Sequence, residues 1–288
     1  MASSLTSPGV IKAANDALVA ASPDLNIARL FAYDMSDEFA TPGTTVKVPV
    51  AAAGTVEDFN ASTNDFENKD GSVTYAQIQL NKMPKSTFEF AALDKLEAPN
   101  APYWAKVREA AANGVKASIS TTLGGLFTAA ACTGGKAVLA SVTKAGIAGL
   151  RAQCAGRVAD TVLALEPGYY NALLSLLDAN ILGAQDAIKT GYIGGLYGFK
   201  AVVQMLDLPD GIKGAIIPAN AVAVASRAFP VADEGAYSEM GTVSDEFGFT
   251  LTVTRHGSAA KGTGFLNVVS LWGAGLVQPS KIKYIAAS

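Results

Sequence analysis

Residues 44–92 set the first constraint on what this chain can fold into. From Thr44 the apolar residues fall at every second position, with Val46, Val48 and Val50 alternating with Lys47 and Pro49. A period of two marks a strand with one buried face. Pro49 cannot donate to a ladder, which restricts that strand to a sheet edge or a bulge. Val73–Leu80 and Thr87–Phe90 read as extended again, so the whole of 44–92 predicts a long β-hairpin with a poorly hydrophobic tip at Asn64–Gly71. An isolated two-stranded ribbon is marginal in water. This hairpin must lie on something else.

The rest of the chain offers candidates for that surface. Pro8–Ala21 has helical spacing, and the stretch from there to Gly43 has no period and reads as an arm. A helix this short is marginal alone, so a neighbour is expected to order it. Asn100-Ala101-Pro102 starts a helix, with proline suited to its first turn. Trp104, Val107, Ala111, Val115, Ile119, Thr122 and Leu126 then form one stripe, and Thr133-Gly134-Gly135 ends the region. The stripe gives a helix of about 36 Å. Trp104 and Val115 are expected to face the closing β tail.

From Lys136 the pattern becomes mixed α/β. Lys136–Gln153 predicts a helix, Ala159–Leu165 a strand and Pro167–Leu177 a helix. Gly191–Met205 reads as two extended pieces, Gly214–Ile217 as a strand and Pro218–Arg227 as an alanine-rich helix. The chain closes in an all-β tail, with strands from Phe249, at Phe265–Trp272 and at Ile282–Ile285.

Composition narrows the class. Hydrophobic residues make up 50% of the 288, and charged residues only 16%. Typical soluble domains carry about 25% charge. A disordered chain needs the opposite balance, and a free monomer would leave large uncharged patches in water. Much of the surface is therefore expected to be covered by partners. The net charge of −3 offers no dense basic surface for tight nucleic-acid binding. The first ten residues lack the basic and apolar regions of a secretory signal, and no membrane span is expected. Charge is nonetheless uneven: 57–70 carries net −4, 233–246 net −5 and 110–159 net +5.

A search for catalytic chemistry returns little. His256 is the one histidine, too few for HExxH, a three-histidine zinc site or a zinc finger. No GxSxG elbow presents a serine. Cys132 and Cys154 form no CxxC and read as free buried thiols. Thr133-Gly134-Gly135-Lys136 fails as a phosphate loop, because Ala130 stands where glycine is needed and Ala137 follows the lysine. Gly191, Gly194, Gly195 and Gly198 do not form GxGxxG and read as bulges or close backbone approaches, and Gly262-x-Gly264 lacks a third glycine. In the pairs Asp233-Glu234 and Asp245-Glu246, adjacent carboxylates on a strand point to opposite faces. Asn60-Ala61-Ser62 is a sequon without meaning unless secreted. No enzyme, cofactor or metal is expected.

The order of elements resembles the major capsid protein of tailed bacteriophages, the Hong Kong 97-like fold. Three places carry the resemblance. The first is Ala159–Leu163 followed by Glu166-Pro167-Gly168-Tyr169-Tyr170 and Leu173. The second is Thr190–Phe199 with Leu208-Pro209, similar to the family's G-x-I-G-x-x-x-G-F segment and Leu-Pro turn. The third is Tyr237–Gly248, then Phe249–Arg255 and Trp272-Gly273-Ala274-Gly275. These motifs are structural, and their weight lies in occurring together in this order.

The resemblance implies an α+β subunit with four parts. Residues 1–43 would be an N-terminal arm and 44–92 an extended loop reaching over a neighbour. Residues 93–135 and 230–288 would form a peripheral domain with a long spine helix, and 136–229 an axial domain. It implies self-assembly into hexamers and pentamers of an icosahedral shell, assembled in the bacterial host cytoplasm and enclosing DNA held by weak non-specific contact. Partners would include a portal and cement proteins. Some relatives carry a longer N-terminal scaffolding segment, so a separate scaffolding protein or a processed chain is expected. Some form a lysine–asparagine cross-link, but spacing alone does not pair Lys69 with Asn267. Glu67, Lys69 and Asp70 near the hairpin tip, and Lys116 in the basic stretch, are the candidate inter-subunit contacts. An encapsulin-type compartment shell is the alternative within the fold, and a soluble α/β enzyme with an unrecognised site the alternative outside it.

Overall fold

The computed structural model describes residues 28–36, 45–51, 72–91, 114–115, 117–177, 192–229, 239–244, 249–258 and 263–288. In chain order the first strands are β1 (Ala32–Asp34), β2 (Thr45–Ala51), β3 (Val73–Gln79), β4 (Lys85–Ala91) and β5 (Lys136–Val138). Then come β6 (Thr161–Leu165), β7 (Tyr192–Gly194), β8 (Ala201–Gln204), β9 (Ile212–Pro218) and β10 (Val222–Arg227). The tail holds β11 (Glu239–Ser244), β12 (Thr250–Ser258), β13 (Thr263–Val269), β14 (Leu271–Leu276) and β15 (Lys283–Ala286). Helix α1 ends at residue 125 and includes residues 114, 115 and 117–125. Helices α2 (Lys144–Arg151) and α3 (Pro167–Leu176) flank β6 in sequence.

The hairpin is present at its base. β2 and β3 pair antiparallel from Thr45↔Gln79 to Ala51↔Val73. Val46, Val48 and Ile78 are buried, while Thr45, Lys47, Gln77 and Gln79 face solvent, as a period of two dictates. The surface beneath is a three-stranded sheet in the order β1-β10-β14. Val46, Val48, Ile78 and Leu80 cluster there with Ala223, Ala225, Leu271 and Val277. Gly273 makes the approach possible, since a β-carbon on it would collide with the carbonyl of Gln79.

The other face of β10 looks into two larger cores. Val224 joins one with Val115, Ile119 and Leu123 of α1, Leu251 and Val253 of β12, and Leu266 and Val268 of β13. Phe249 and Trp272 meet edge to face in it, 5.8 Å between centroids. The sheet against α1 runs β11-β12-β13-β4, all antiparallel. Val222 joins the second core with Phe31, Phe127, Cys132 and one face of a six-stranded sheet in the order β5-β15-β9-β6-β8-β7. The opposite face of that sheet carries Ile147 and Leu150 of α2 and Tyr170 and Leu173 of α3. Thr143 caps α2 by accepting the Gly146 N–H at 3.0 Å, and α3 opens on Pro167 as expected.

Four expectations need correction. The 44–92 hairpin stops at Gln79, because 85–91 pairs with β13 in the four-stranded sheet. Phe265–Trp272 is not one strand but parts of β13 and β14, which enter different sheets on either side of Ser270. The helix expected over Lys136–Gln153 begins only at Lys144, because 136–138 pairs parallel with β15. Gly135 at φ 97° provides the turn into that strand. The alanine-rich helix expected over 218–227 is strand β10. Its alanines have high helix propensity, but their small side chains let the hairpin approach, and tertiary packing prevails. The arm helix Pro8–Ala21 and Trp104 lie outside the described residues.

Val115 is fully buried against the tail strands, as the stripe implies. Val115→Asp should cost several kcal/mol by burying an unpaired charge, and the chain should shift to the insoluble fraction. Normal soluble yield would mean that this face is not core. Burial also pushes the Cys132 thiol up to about 11. Between pH 9 and 11 the unfolded chain loses this proton first, so stability should fall as pH rises through that window. Thermal melts at pH 8.5 to 10.5 should show a steeper decline for wild type than for Cys132→Ala.

Candidate inter-subunit surface

The four contact residues chosen from the sequence, Glu67, Lys69, Asp70 and Lys116, lie outside the described residues. So do Asn60, Asp233-Glu234 and Asp245-Glu246. The other bases of the 110–159 stretch lie in the part of the chain that forms the six-stranded sheet. Lys136 is on β5, where its Nζ donates to the Ser288 carbonyl, Lys144 and Arg151 are on α2, and Arg157 precedes β6. The basic run is thus not one face of α1.

The ribbon offers the clearest exposed apolar surface. Val73 and Tyr75 are 58% and 63% exposed, and their cross-strand partners Ala51 and Pro49 are exposed beside them. Exposed aromatic and branched side chains grouped on one ribbon face suit a protein contact.

The outer face of the four-stranded sheet, turned away from α1, holds the second candidate. Register aligns Thr254 with Asn267 and Asn267 with Thr87, and aligns His256 with Phe265 and Phe265 with Glu89. The rings of His256 and Phe265 stack with centroids 5.0 Å apart. Asn267 Nδ2 donates to Thr254 Oγ1 at 3.3 Å and lies 3.3 Å from His256 Nδ1. A cleft of about 520 Å³ opens over these groups, with Met83, Lys85 and Phe229 also in its wall. It combines one ammonium, an amide and hydroxyls with aromatic faces. That chemistry takes an apolar or aromatic side chain together with a carboxylate.

His256 is engaged with an amide, and Cys132 belongs to the core beside the six-stranded sheet. Burial also raises the Cys154 thiol, against weaker pulls downward from Lys283 and Arg151. Gly195 and Gly198 have φ of 68° and 84° and form the turn between β7 and β8. They serve a turn rather than the bulge or close backbone approach expected, and Gly191 lies outside the described residues. Among the described residues no group of three or more His, Cys, Asp or Glu is placed to hold a metal, and no helix is long and apolar enough to cross a membrane.

The cleft was not visible in the sequence. The alternation Thr250, Thr252, Thr254, His256 marks a face of one strand, but its neighbours on β13 and β4 follow only from register.

No protein-family model matches the sequence, and no curated protein matches it. Solved structures do match. The capsid of cyanophage P-SCSP1u is 14% identical, over 89% of this chain and 86% of that one, with a TM-score of 0.54. The capsid of an empty GTA particle is 14% identical, over 90% and 88%, also at 0.54. A virus-like particle from Pyrococcus furiosus is 11% identical over 95% and 97%, at 0.53. The chain therefore has the α+β fold of phage capsid subunits, the fold that its sequence resembles.

Proposed function

We propose that this chain is the repeating coat subunit of an icosahedral phage head, with no catalytic role. The observation that carries this reading is the likeness to capsid subunits over about nine-tenths of the chain. The exposed apolar ribbon face and the low charge support it, because both suit a surface that neighbours cover. Many weak contacts repeated around a closed shell become stable through multivalency. Under this reading the parts 1–43, 44–92, 93–135 with 230–288, and 136–229 act as arm, extended loop, peripheral domain and axial domain, except that β4 belongs with the four-stranded sheet and β15 with the six-stranded one. Copies of the chain form hexamers and pentamers in the virion shell, built in the host cytoplasm with a separate scaffolding protein, a portal and cement proteins. DNA is enclosed rather than gripped.

A second reading is a protein compartment of the encapsulin type. The likeness to the Pyrococcus furiosus virus-like particle, over 97% of that chain, suits either kind of shell. Negative-stain microscopy of the purified protein tests both against a soluble enzyme: closed particles are expected, and a monomer or dimer alone would overturn them. Nuclease-protected DNA inside the particles would favour the head, and a co-purifying protein cargo the compartment.

The acidic segment 57–70 should steer assembly. Opposite charges that meet only between subunits act on encounter and register more than on affinity. Glu67→Lys with Asp70→Lys should leave the subunit folded and slow shell formation at low salt, read by light scattering. Raised salt should slow the wild type too, because exposed charges are screened beyond about 8–10 Å. Equal rates for both proteins at low salt would reduce the segment to a solvated turn.

A further inference from the structure

We propose that the cleft on the outer face of the four-stranded sheet binds a small monocarboxylate. The ligand carries an apolar or aromatic body and a hydrogen-bond donor beside its acid group, and an N-acylated apolar amino acid is the simplest case. At about 520 Å³ the cleft falls among small-molecule sites, which span about 300–1,000 Å³. Its floor is built by register. Thr254, Asn267 and Thr87 lie side by side across β12, β13 and β4, and Phe265 and Val269 flank Asn267 along β13. Met83 and Phe229 complete the apolar wall, and the Phe229 N–H donates to Thr252 Oγ1 at 3.1 Å.

Three features of the lining define the ligand. The first is a single permanent charge. Lys85 is exposed and has no ion pair among the described residues, and Glu89 lies on the same face, opposite Phe265. One ammonium balances one carboxylate, whereas a phosphate dianion would need more donors and would be repelled by Glu89. The second is a fixed acceptor. Asn267 is only 8% exposed, its Nδ2 is engaged by Thr254 and His256, and Oδ1 has no partner among the described residues. An amide held in this way is oriented before any ligand arrives, and its oxygen calls for an N–H or O–H. Lys85 stands diagonally across the strands from Asn267, roughly 7–8 Å away, and the lysine stem shortens that gap. A donor and a carboxylate carried on one carbon therefore reach both. The third is apolar area, from the Phe265 ring stacked on His256 and from Phe229, Met83 and Val269. Nothing in this chemistry requires the chain to build a shell, so the failure of one reading leaves the other standing.

Calorimetric titration of the full chain with N-acetylphenylalanine tests the site. Saturable binding to one site per chain is expected. N-acetylphenylalaninamide lacks the acid, N-acetylglycine the apolar body and hydrocinnamate the N–H, and each should bind at least tenfold more weakly. Lys85→Met keeps the stem and removes the charge at an exposed position. It should melt at the wild-type temperature and lose at least tenfold in affinity, while Lys85→Arg retains binding. Thr87→Trp, also at an exposed position, should fill the cleft and abolish binding. No saturable binding by the wild type, equal binding of the amide, or undiminished binding by Lys85→Met overturns the site. A longer peptide ending in phenylalanine is the last arm. If it binds and N-acetylphenylalanine does not, the cleft receives a chain terminus and the small-molecule assignment falls.

Discussion

The structure depends on how closely the β2–β3 ribbon approaches the β1-β10-β14 sheet. That approach is made of missing side-chain volume. Gly273 lies where any β-carbon would strike the Gln79 carbonyl, and Ala223 and Ala225 present single methyl groups to Ile78 and its neighbours. With the ribbon on one face, β10 turns Val222 and Val224 to the other, where each enters a different core. A strand buried on both faces between three packing groups can move very little, because protein interiors are close-packed and transmit strain. The small sheet is therefore the hub that relates the ribbon, the α1 sheet and the six-stranded sheet.

The joint between two of those sheets is fixed by neutral hydroxyls. The chain passes from β13 to β14 at Ser270, which is fully buried. Ser270 Oγ donates to the Thr250 carbonyl at 3.1 Å, while Ser226 Oγ accepts the Thr250 N–H at 3.0 Å. Ser36 Oγ accepts the Ser226 N–H at 3.0 Å and donates to Asp34, tying in the end of β1. Satisfied buried hydrogen bonds of this kind specify geometry.

Legibility followed the strength of local pattern. The alternation at Val46 and Val48, the Glu166-Pro167 start of α3 and the stripe through Val115 and Ile119 each state a period and a direction, and each is found in place. The segment at 221–227 states only small size, which helices and doubly buried strands share, so its strand character came from neighbours far away in sequence. Lys136–Val138 likewise became a strand because β15 lies beside it. The candidate site was less legible still. Glu67, Lys69, Asp70 and Lys116 stand out by local charge, whereas the cleft joins Lys85, His256 and Asn267 from three strands. Only the register of β4, β13 and β12 brings them together, and register is set by the whole sheet.

Two kinds of surface remain on the ribbon and the sheet, and under the shell reading they would suit different steps of assembly. Val73 and Tyr75 offer apolar area, which is non-directional and gains by removal from water. The cleft offers an oriented amide and a cation, which gain only when a partner group is correctly placed. In a shell, affinity at each contact must stay modest, because contacts multiply around every closed ring and strong errors would be trapped. Apolar area alone would hold subunits in many relative positions. Under the shell reading, a polar cleft elsewhere on the subunit would penalise those that bury Lys85 without a partner, since an unpaired buried polar group costs more than a paired one returns. On the same reading, separating attraction from discrimination in this way would let one chain adhere weakly and still choose a single register with its neighbours.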